Sequence, residues 1–268
     1  MAPKQVVELN IKSAIAKARG SVGRLFGLGV LAGVFIGLGA VVSSTVAHSM
    51  PDAGLVRLVS GLLFPLGLVL TVLLGAELFT GNVLMVNAAV AGKIQWRGLL
   101  RNWGLVLLGN LVGAVGLAAA MAYFGQLSIG GGELAVFSAK VAAGKTSLPW
   151  LNALMLGVFC NLLVCAAIYL ALGAKTVLGK IVAIWVPIAA FVIAGFEHSV
   201  ANMYYIPAGI FAALNPAYSE VIATAGVDTT ALSVGGLLGN LIPVIIGNII
   251  GGAALGLVLY CFHCRRAK

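Results

Sequence analysis

Charge is what this sequence has least of. Asp, Glu, Lys and Arg make up 9% of the 268 residues, against about 25% in a soluble domain. So few charges cannot cover a water-facing surface, and lipid is the solvent for most of the chain. Acidic residues are scarcest, at 7 against 16 Lys and Arg. The net charge of +9 would suggest nucleic acid in a soluble protein. Here the aromatics do not interleave with the basic residues, and no nucleic-acid partner is expected. Histidine occurs only at His48, His198 and His263, so a metalloprotease pair of histidines at helical spacing with a glutamate is absent. The four cysteines, Cys160, Cys165, Cys261 and Cys264, include a "CFHC" pair. It lacks the second pair of ligands that a structural zinc site needs, and no metal or cofactor is expected. No secretory leader is expected either. "MAPKQVVELNIKSAIAKARGSVGR" has no apolar core or cleavage site and reads as an amphipathic helix over 1–24. Val7, Ile11, Ala14, Ile15 and Ala18 share one side and Lys12, Lys17 and Arg19 lie elsewhere, a pattern that lies on a membrane surface.

What the chain has in abundance is apolar length. About 20 apolar residues cross the hydrocarbon core, and six segments qualify: 25–47, 55–90, 99–124, 149–173, 181–210 and 232–262. Short linkers make 25–262 one six-span domain, with a basic tail at 263–268. One side collects Lys4, Lys12, Lys17, Arg19, Arg24, Lys93, Arg97, Arg101, Lys175, Lys180, Arg265, Arg266 and Lys268, and the other has only Arg57, Lys140 and Lys145. Basic residues mark the cytoplasmic side, so both termini are expected there.

The spans repeat. "LLGNLVGAVGLA" (107–118) matches "IIGNIIGGAALG" (245–256), with Asn110 and Asn248 in register. "GAELFTGN" (75–82) matches "GFEHSVAN" (195–202), which aligns Glu77 with Glu197 and Asn82 with Asn202. "AGVFIG" and "LGVFCN" give a shorter match in the first and fourth spans. Three spans per copy force the copies to cross in opposite senses, the inverted-repeat design of many transport proteins. Segments two and five are too long for a plain crossing and hold their polar clusters inside. A helix breaks at membrane depth only where its freed backbone groups are buried or line a wet cavity. "ELFTGN" and "EHSVAN" are therefore expected to be broken-helix loops facing each other. Glu77 and Glu197 then belong to the scaffold, accepting hydrogen bonds from exposed N–H groups, with a direct transport role as the other reading.

His198 has no twin, since Leu78 takes its place. It is either a packed, satisfied histidine or a pore donor and proton exchanger. Asn110, Asn248 and Asn161 either bridge helices or line the path. Lys145, in "AAGKTSLPW", is either an ordinary outer-loop lysine or a cation at a pore mouth that concentrates anions. Phe64, Leu68, Leu78, Phe79 and Phe191 are core by composition, or hydrophobic constrictions if the helices break. Gly109–Gly113 and Gly247–Gly251 form close-packing faces.

The combination of "AELFTGN", "LLGNLVGA", "GFEHSVANMYYIP" and "NLIPVIIGNIIGG" resembles the formate/nitrite transporter family over essentially the whole chain. The resemblance implies an all-α, aquaporin-like fold of six transmembrane helices in two inverted three-helix repeats, with broken second and fifth helices. It implies a homopentamer in a prokaryotic inner membrane, passing formate, nitrite or hydrosulfide with protons as the other partner. It places His198 at the pore centre with Thr80 beside it, and Leu68, Leu78, Phe64, Phe79 and Phe191 at apolar slits. Lys145 becomes a vestibule lysine with Asn161 as neighbour, and Asn248 a pore-lining asparagine. The motifs most resemble the formate branch. In this reading His198 donates or relays a proton so that the substrate crosses a slit as its neutral acid. The counter-reading keeps the anion charged, with His198 a cation and half-helix N-termini compensating. Two other classes remain. A neutral-solute channel would carry twin Asn-Pro-Ala loops, and only Asn215-Pro216-Ala217 is present. A serine hydrolase at Ser199 would need a separate base, and the adjacent His198 points about 100° away on a helix.

Overall fold

The protein was analysed as a computed structural model that describes residues 1–264. Every regular element among them is helical. A short α1 (Pro3–Ala18) leads into α2 (Val22–Ala47). The second segment is divided into α3 (Ala53–Leu63), α4 (Leu66–Leu73), α5 (Phe79–Asn82) and, after a 3-10 turn at Val83–Met85, α6 (Val86–Val90). Then come α7 (Trp96–Tyr123), α8 (Glu133–Thr146), α9 (Trp150–Gly173), α10 (Val177–Ile193), α11 (Ser199–Leu214), α12 (Pro216–Thr224) and α13 (Val234–His263). The first, third, fourth and sixth spans are the unbroken helices α2, α7, α9 and α13; the second and fifth are the broken ones.

Both expected breaks form, and for the same local reason. Gly75 and Gly195 each sit at φ +74°, a left-handed conformation that costs glycine little and turns the chain out of its helix. Leu78 (φ −110°, ψ 125°) and His198 (φ −108°, ψ 117°) then cap α5 and α11 in nearly identical extended conformations. A further interruption at Pro65 separates α3 from α4, since proline has no N–H to continue the ladder.

The two repeats pack alike. α2 lies against α7, and α9 against α13, so closely that a Cβ at Gly113 would strike the Val30 carbonyl and one at Gly247 the Leu154 carbonyl. The interior is polar at its centre and the flanks are apolar. Asn110, Asn161, Asn202 and Asn248 are all 0% exposed, whereas Leu151 is 63% and Phe262 83% exposed. This is the inverse of a soluble protein and suits a lipid-facing outer surface.

Three expectations are corrected. The apolar face of α1 packs on protein rather than on a membrane surface: Val6 and Val7 join Leu84, Cys165 and Tyr169, and Ala14 joins Met85, Val86 and Leu99. Amphipathicity reports that a face is buried and not what buries it. The linkers are not all short, because α8 and α12 occupy the far side and form a small core of Leu134, Ala135, Ala139, Ala212, Tyr218 and Ile222. Lys145 therefore sits in the last turn of α8 and not in a loop. Of the basic tail, Arg265, Arg266 and Lys268 lie outside the described residues.

Candidate functional site

The two broken segments meet at their caps. Thr80, at the start of α5, and His198, the cap of α11, join through Thr80 Oγ1 and His198 Nε2 at 2.9 Å. The other ring nitrogen, His198 Nδ1, accepts from the Ala201 backbone N–H at 3.1 Å. An acceptor carries no proton, so this pattern assigns the ring as neutral with its hydrogen on Nε2, donating to Thr80. A proton on Nδ1 would face the Ala201 N–H and break the cap.

Three cavities lie in file through this point. On the α8 side a cavity of about 260 Å³ is lined by Arg57, Lys145, Glu197, Tyr205, Phe64 and His198. On the α1 side one of about 330 Å³ is lined by Lys17, Arg24, Glu77, Asn82, Leu68 and Leu78. Between them is a chamber of only about 10 Å³, bounded by Ile36, Phe64, Leu68, Leu78, Phe191 and His198, room for about one water. Phe64 and Phe191 border both the chamber and the α8-side cavity, with their rings edge to face at 5.8 Å. Leu68 and Leu78 border both the chamber and the α1-side cavity. His198 is the one ionisable side chain among the residues lining the chamber.

Each break is braced by the same polar network. Lys145 Nζ meets Glu197 Oε1 at 2.8 Å, while Asn202 Nδ2 donates to Glu197 Oε2 at 2.6 Å and to Asn240 Oδ1 at 2.7 Å. Asn240 Nδ2 returns to the Lys145 carbonyl at 2.9 Å. In the other repeat Lys17 Nζ meets Glu77 Oε2 at 2.9 Å, Asn82 Nδ2 donates to Glu77 and Asn102, and Asn102 Nδ2 returns to the Lys17 carbonyl. The freed N–H groups are met elsewhere. Asn110 Oδ1 accepts from Phe79 N–H and Asn248 Oδ1 from Ser199 N–H, at 3.0 and 2.9 Å. Their Nδ2 groups donate to the Gly29 and Glu77 carbonyls and to the Gly157 and Glu197 carbonyls, respectively. So the glutamates hold lysines and asparagines, and it is the asparagines of the third and sixth spans that take the backbone donors. A carboxylate gains more from an ammonium than from a neutral amide N–H.

Of the residues singled out by sequence, His198, Leu68, Leu78, Phe64 and Phe191 come together at the chamber, and Thr80 reaches it through His198 Nε2. Three do not fit their expected places. Phe79 packs its ring edge-on to Trp103 at 6.0 Å and borders none of the three cavities; its neighbour Leu78 takes the inward direction, and Thr80 meets His198. Asn161 is remote from Lys145 and donates to the Thr80 and Asn248 carbonyls at 3.2 and 2.6 Å, behind the break. Asn248 spends its whole amide on backbone and is 0% exposed, so it braces the pore wall. Sequence reading also missed Lys17, Asn102 and Asn240 as members of the networks. The structure sets the first and fourth spans in a different register from the "AGVFIG" and "LGVFCN" match, with Gly29 rather than Gly33 equivalent to Gly157 as acceptors for Asn110 and Asn248. In that register Lys17 aligns with Lys145, and Asn102 precedes Asn110 as Asn240 precedes Asn248.

The chain matches known proteins along its length. The family model for the formate/nitrite transporter matches residues 4–262. A probable formate transporter of Methanothermobacter thermautotrophicus is 40% identical, covering 93% of each chain. The formate channel FocA of Escherichia coli is 35% identical over 98% of this chain and 94% of its own. A solved structure described as a pentameric formate channel with formate bound superposes with a TM-score of 0.79 at 33% identity, covering 90% of this chain and 96% of that one. A structure described as an FNT family ion channel gives 0.81 at 28% identity, covering 96% and 98%. The inverted, twice-broken helical plan and these matches lead to one conclusion: the chain belongs to the formate/nitrite transporter family.

Proposed function

We propose that this protein is a channel for small monovalent anions of weak acids, formate first, working as a homopentamer in a prokaryotic inner membrane. The observation that carries the reading is a chamber of about one-water size, apolar except for His198, set between two wide cavities. Each wide cavity holds two cationic side chains against one carboxylate, Arg57 and Lys145 with Glu197, and Arg24 and Lys17 with Glu77. Both mouths therefore favour anions. The relatives' descriptions as formate channels, and of one as pentameric, support the substrate and the assembly. The α1 side gathers most of the basic residues and faces the cytoplasm.

The two-sided constriction supports one mechanism over the other. An isolated ion in a medium of dielectric near 4 costs tens of kcal/mol. Protonating a carboxylate of pKa about 3.9 at pH 7 costs about 4 kcal/mol, roughly three units at 1.36 kcal/mol each. Crossing as the neutral acid is the cheaper route. The resting ring is neutral, so His198 does not wait as a cation, which disfavours the alternative of a permanently charged pore. It loads a proton from the α8-side cavity, which it borders; Nδ1 then turns from acceptor to donor and the Ala201 N–H cap opens, to close again when the arriving anion takes one proton from the imidazolium. The acid leaves neutral and the ring returns to neutral, so charge and protons balance. Thr80 fixes the ring during the exchange. Nitrite and hydrosulfide are anions of weak acids of similar size and share this route.

The class of solute is tested with stopped-flow light scattering on proteoliposomes under formate and under glycerol gradients. Rapid formate entry with glycerol excluded is expected. Glycerol entry without formate entry overturns the reading in favour of a neutral-solute channel.

A further inference from the structure

Both wide cavities contain a lysine, but each lysine is already neutralised. Lys145 Nζ lies 2.8 Å from Glu197 and Lys17 Nζ 2.9 Å from Glu77. Such a pair presents a dipole to an approaching anion, not a net charge. The cavities' uncompensated charge comes from a different residue on each side. On the α8 side it is Arg57, from α3. Its guanidinium Nη1 would lie 3.7 Å from a Cβ at Gly195, so the group rests against the fifth-segment break. Among the described residues its side chain makes no ion pair and no hydrogen bond, and the two ion pairs present are those of the lysines. On the α1 side Arg24 lines the cavity beside Gly75 in the same unpaired state.

The repeat does not supply either arginine. Continuing the register that makes Gly29 equivalent to Gly157 puts Asn152 opposite Arg24. Continuing that of Glu77 and Glu197 puts Val177 opposite Arg57. Two residues unrelated by the symmetry thus give both cavities the same net +1, one ion pair plus one guanidinium.

We infer that Arg57 is the anion-capture residue of the α8-side mouth, with the paired Lys145 serving to hold the break through Glu197. The ligand class is a small monovalent oxyanion, which a guanidinium matches through two parallel N–H donors. The inference rests on the proposed channel function and refines one site of it. An unpaired charge in a cavity mouth raises local anion concentration and capture rate, and the effect fades as salt screens it.

The experiment measures initial formate uptake into proteoliposomes carrying the full-length protein, as a function of formate, at about 20 mM and about 500 mM ionic strength. Arg57→Gln is expected to raise the half-saturating formate about 3- to 10-fold at low ionic strength, to leave the maximal rate within twofold, and to lose most of the salt dependence. Arg57→Lys, which keeps the charge, is expected to restore the salt dependence. The double variant Lys145→Gln/Glu197→Gln, which removes the ion pair and keeps the cavity's net +1, is expected to lower the melting temperature and to leave the salt dependence in place. An unchanged half-saturation for Arg57→Gln at low salt, or a salt dependence lost in Lys145→Gln/Glu197→Gln instead, overturns the inference. Absence of formate uptake by the wild-type protein would fail the channel reading itself, a distinguishable result.

Discussion

The glutamate network gives the sharpest quantitative prediction. Replacing Glu197 by Gln keeps the shape and one acceptor for Asn202 but removes the charge that holds Lys145. The lysine side chain is 17% exposed and Glu197 7%, so the ammonium is left largely buried beside a cavity that supplies some water. Breaking a fully buried pair costs about 3–5 kcal/mol, and a lost charge-assisted hydrogen bond about 1.5–3. The residual exposure puts this pair at the lower end, about 2–3 kcal/mol. At about 2–4 °C per kcal/mol for a chain of this size, the melting temperature falls by roughly 4–12 °C. Lys17 is 28% exposed, so Glu77→Gln costs less, about 1–2 kcal/mol given the greater screening. The assay is thermal unfolding of the detergent-purified oligomer by tryptophan fluorescence, run beside formate uptake. A melting temperature within 1 °C of wild type, together with a tenfold loss of uptake, would refute the scaffold role and make Glu197 a transport residue.

Other outcomes follow from the same geometry. Asn248→Leu strands Ser199 N–H and two carbonyls at about 1–3 kcal/mol each, and is expected to abolish the folded oligomer in size-exclusion chromatography. Gly113→Ala drives a methyl into the Val30 carbonyl between α2 and α7 and should likewise cut folded yield, while Gly116→Ala, with open space around it, should not. Thr80→Val removes the partner of His198 Nε2 and is expected to slow formate uptake about tenfold, with Thr80→Ser close to wild type. Uptake limited by the neutral acid should rise up to about tenfold as external pH falls from 7 to 6, since each pH unit raises the acid fraction tenfold in this range.

The plan of the fold was legible in sequence because it is written in long apolar segments and in a repeat that aligns Glu77 with Glu197 and Asn110 with Asn248. The breaks could be placed because Gly75 and Gly195 stand just before polar clusters in otherwise apolar runs. The asymmetry at His198 and Leu78 was legible too, and the two residues do cap equivalent helices on one chamber. What escaped depends on side-chain direction. Nothing in "ELFTGN" says that Phe79 turns toward Trp103 while Leu78 turns toward the chamber. Asn248 and a pore-lining asparagine look identical until each amide atom is seen spent on backbone. Asn161 lies on the helix that follows Lys145 in sequence yet meets the Thr80 carbonyl instead. The partners of α1 escaped for another reason: its apolar stripe fits lipid or protein equally, and the polar contacts of Lys17 with Glu77 and Asn82 span more than 50 residues of sequence.

The central claim is that the anion crosses with a proton that His198 passes to it. Proteoliposomes loaded with a pH-sensitive dye, given a formate gradient, report formate and proton entry together for wild type and for His198→Ala. The account predicts about one proton per formate in the wild type and, in the variant, a fall in formate flux with loss of the coupled proton signal. Formate flux that persists in His198→Ala with unchanged proton stoichiometry would contradict it.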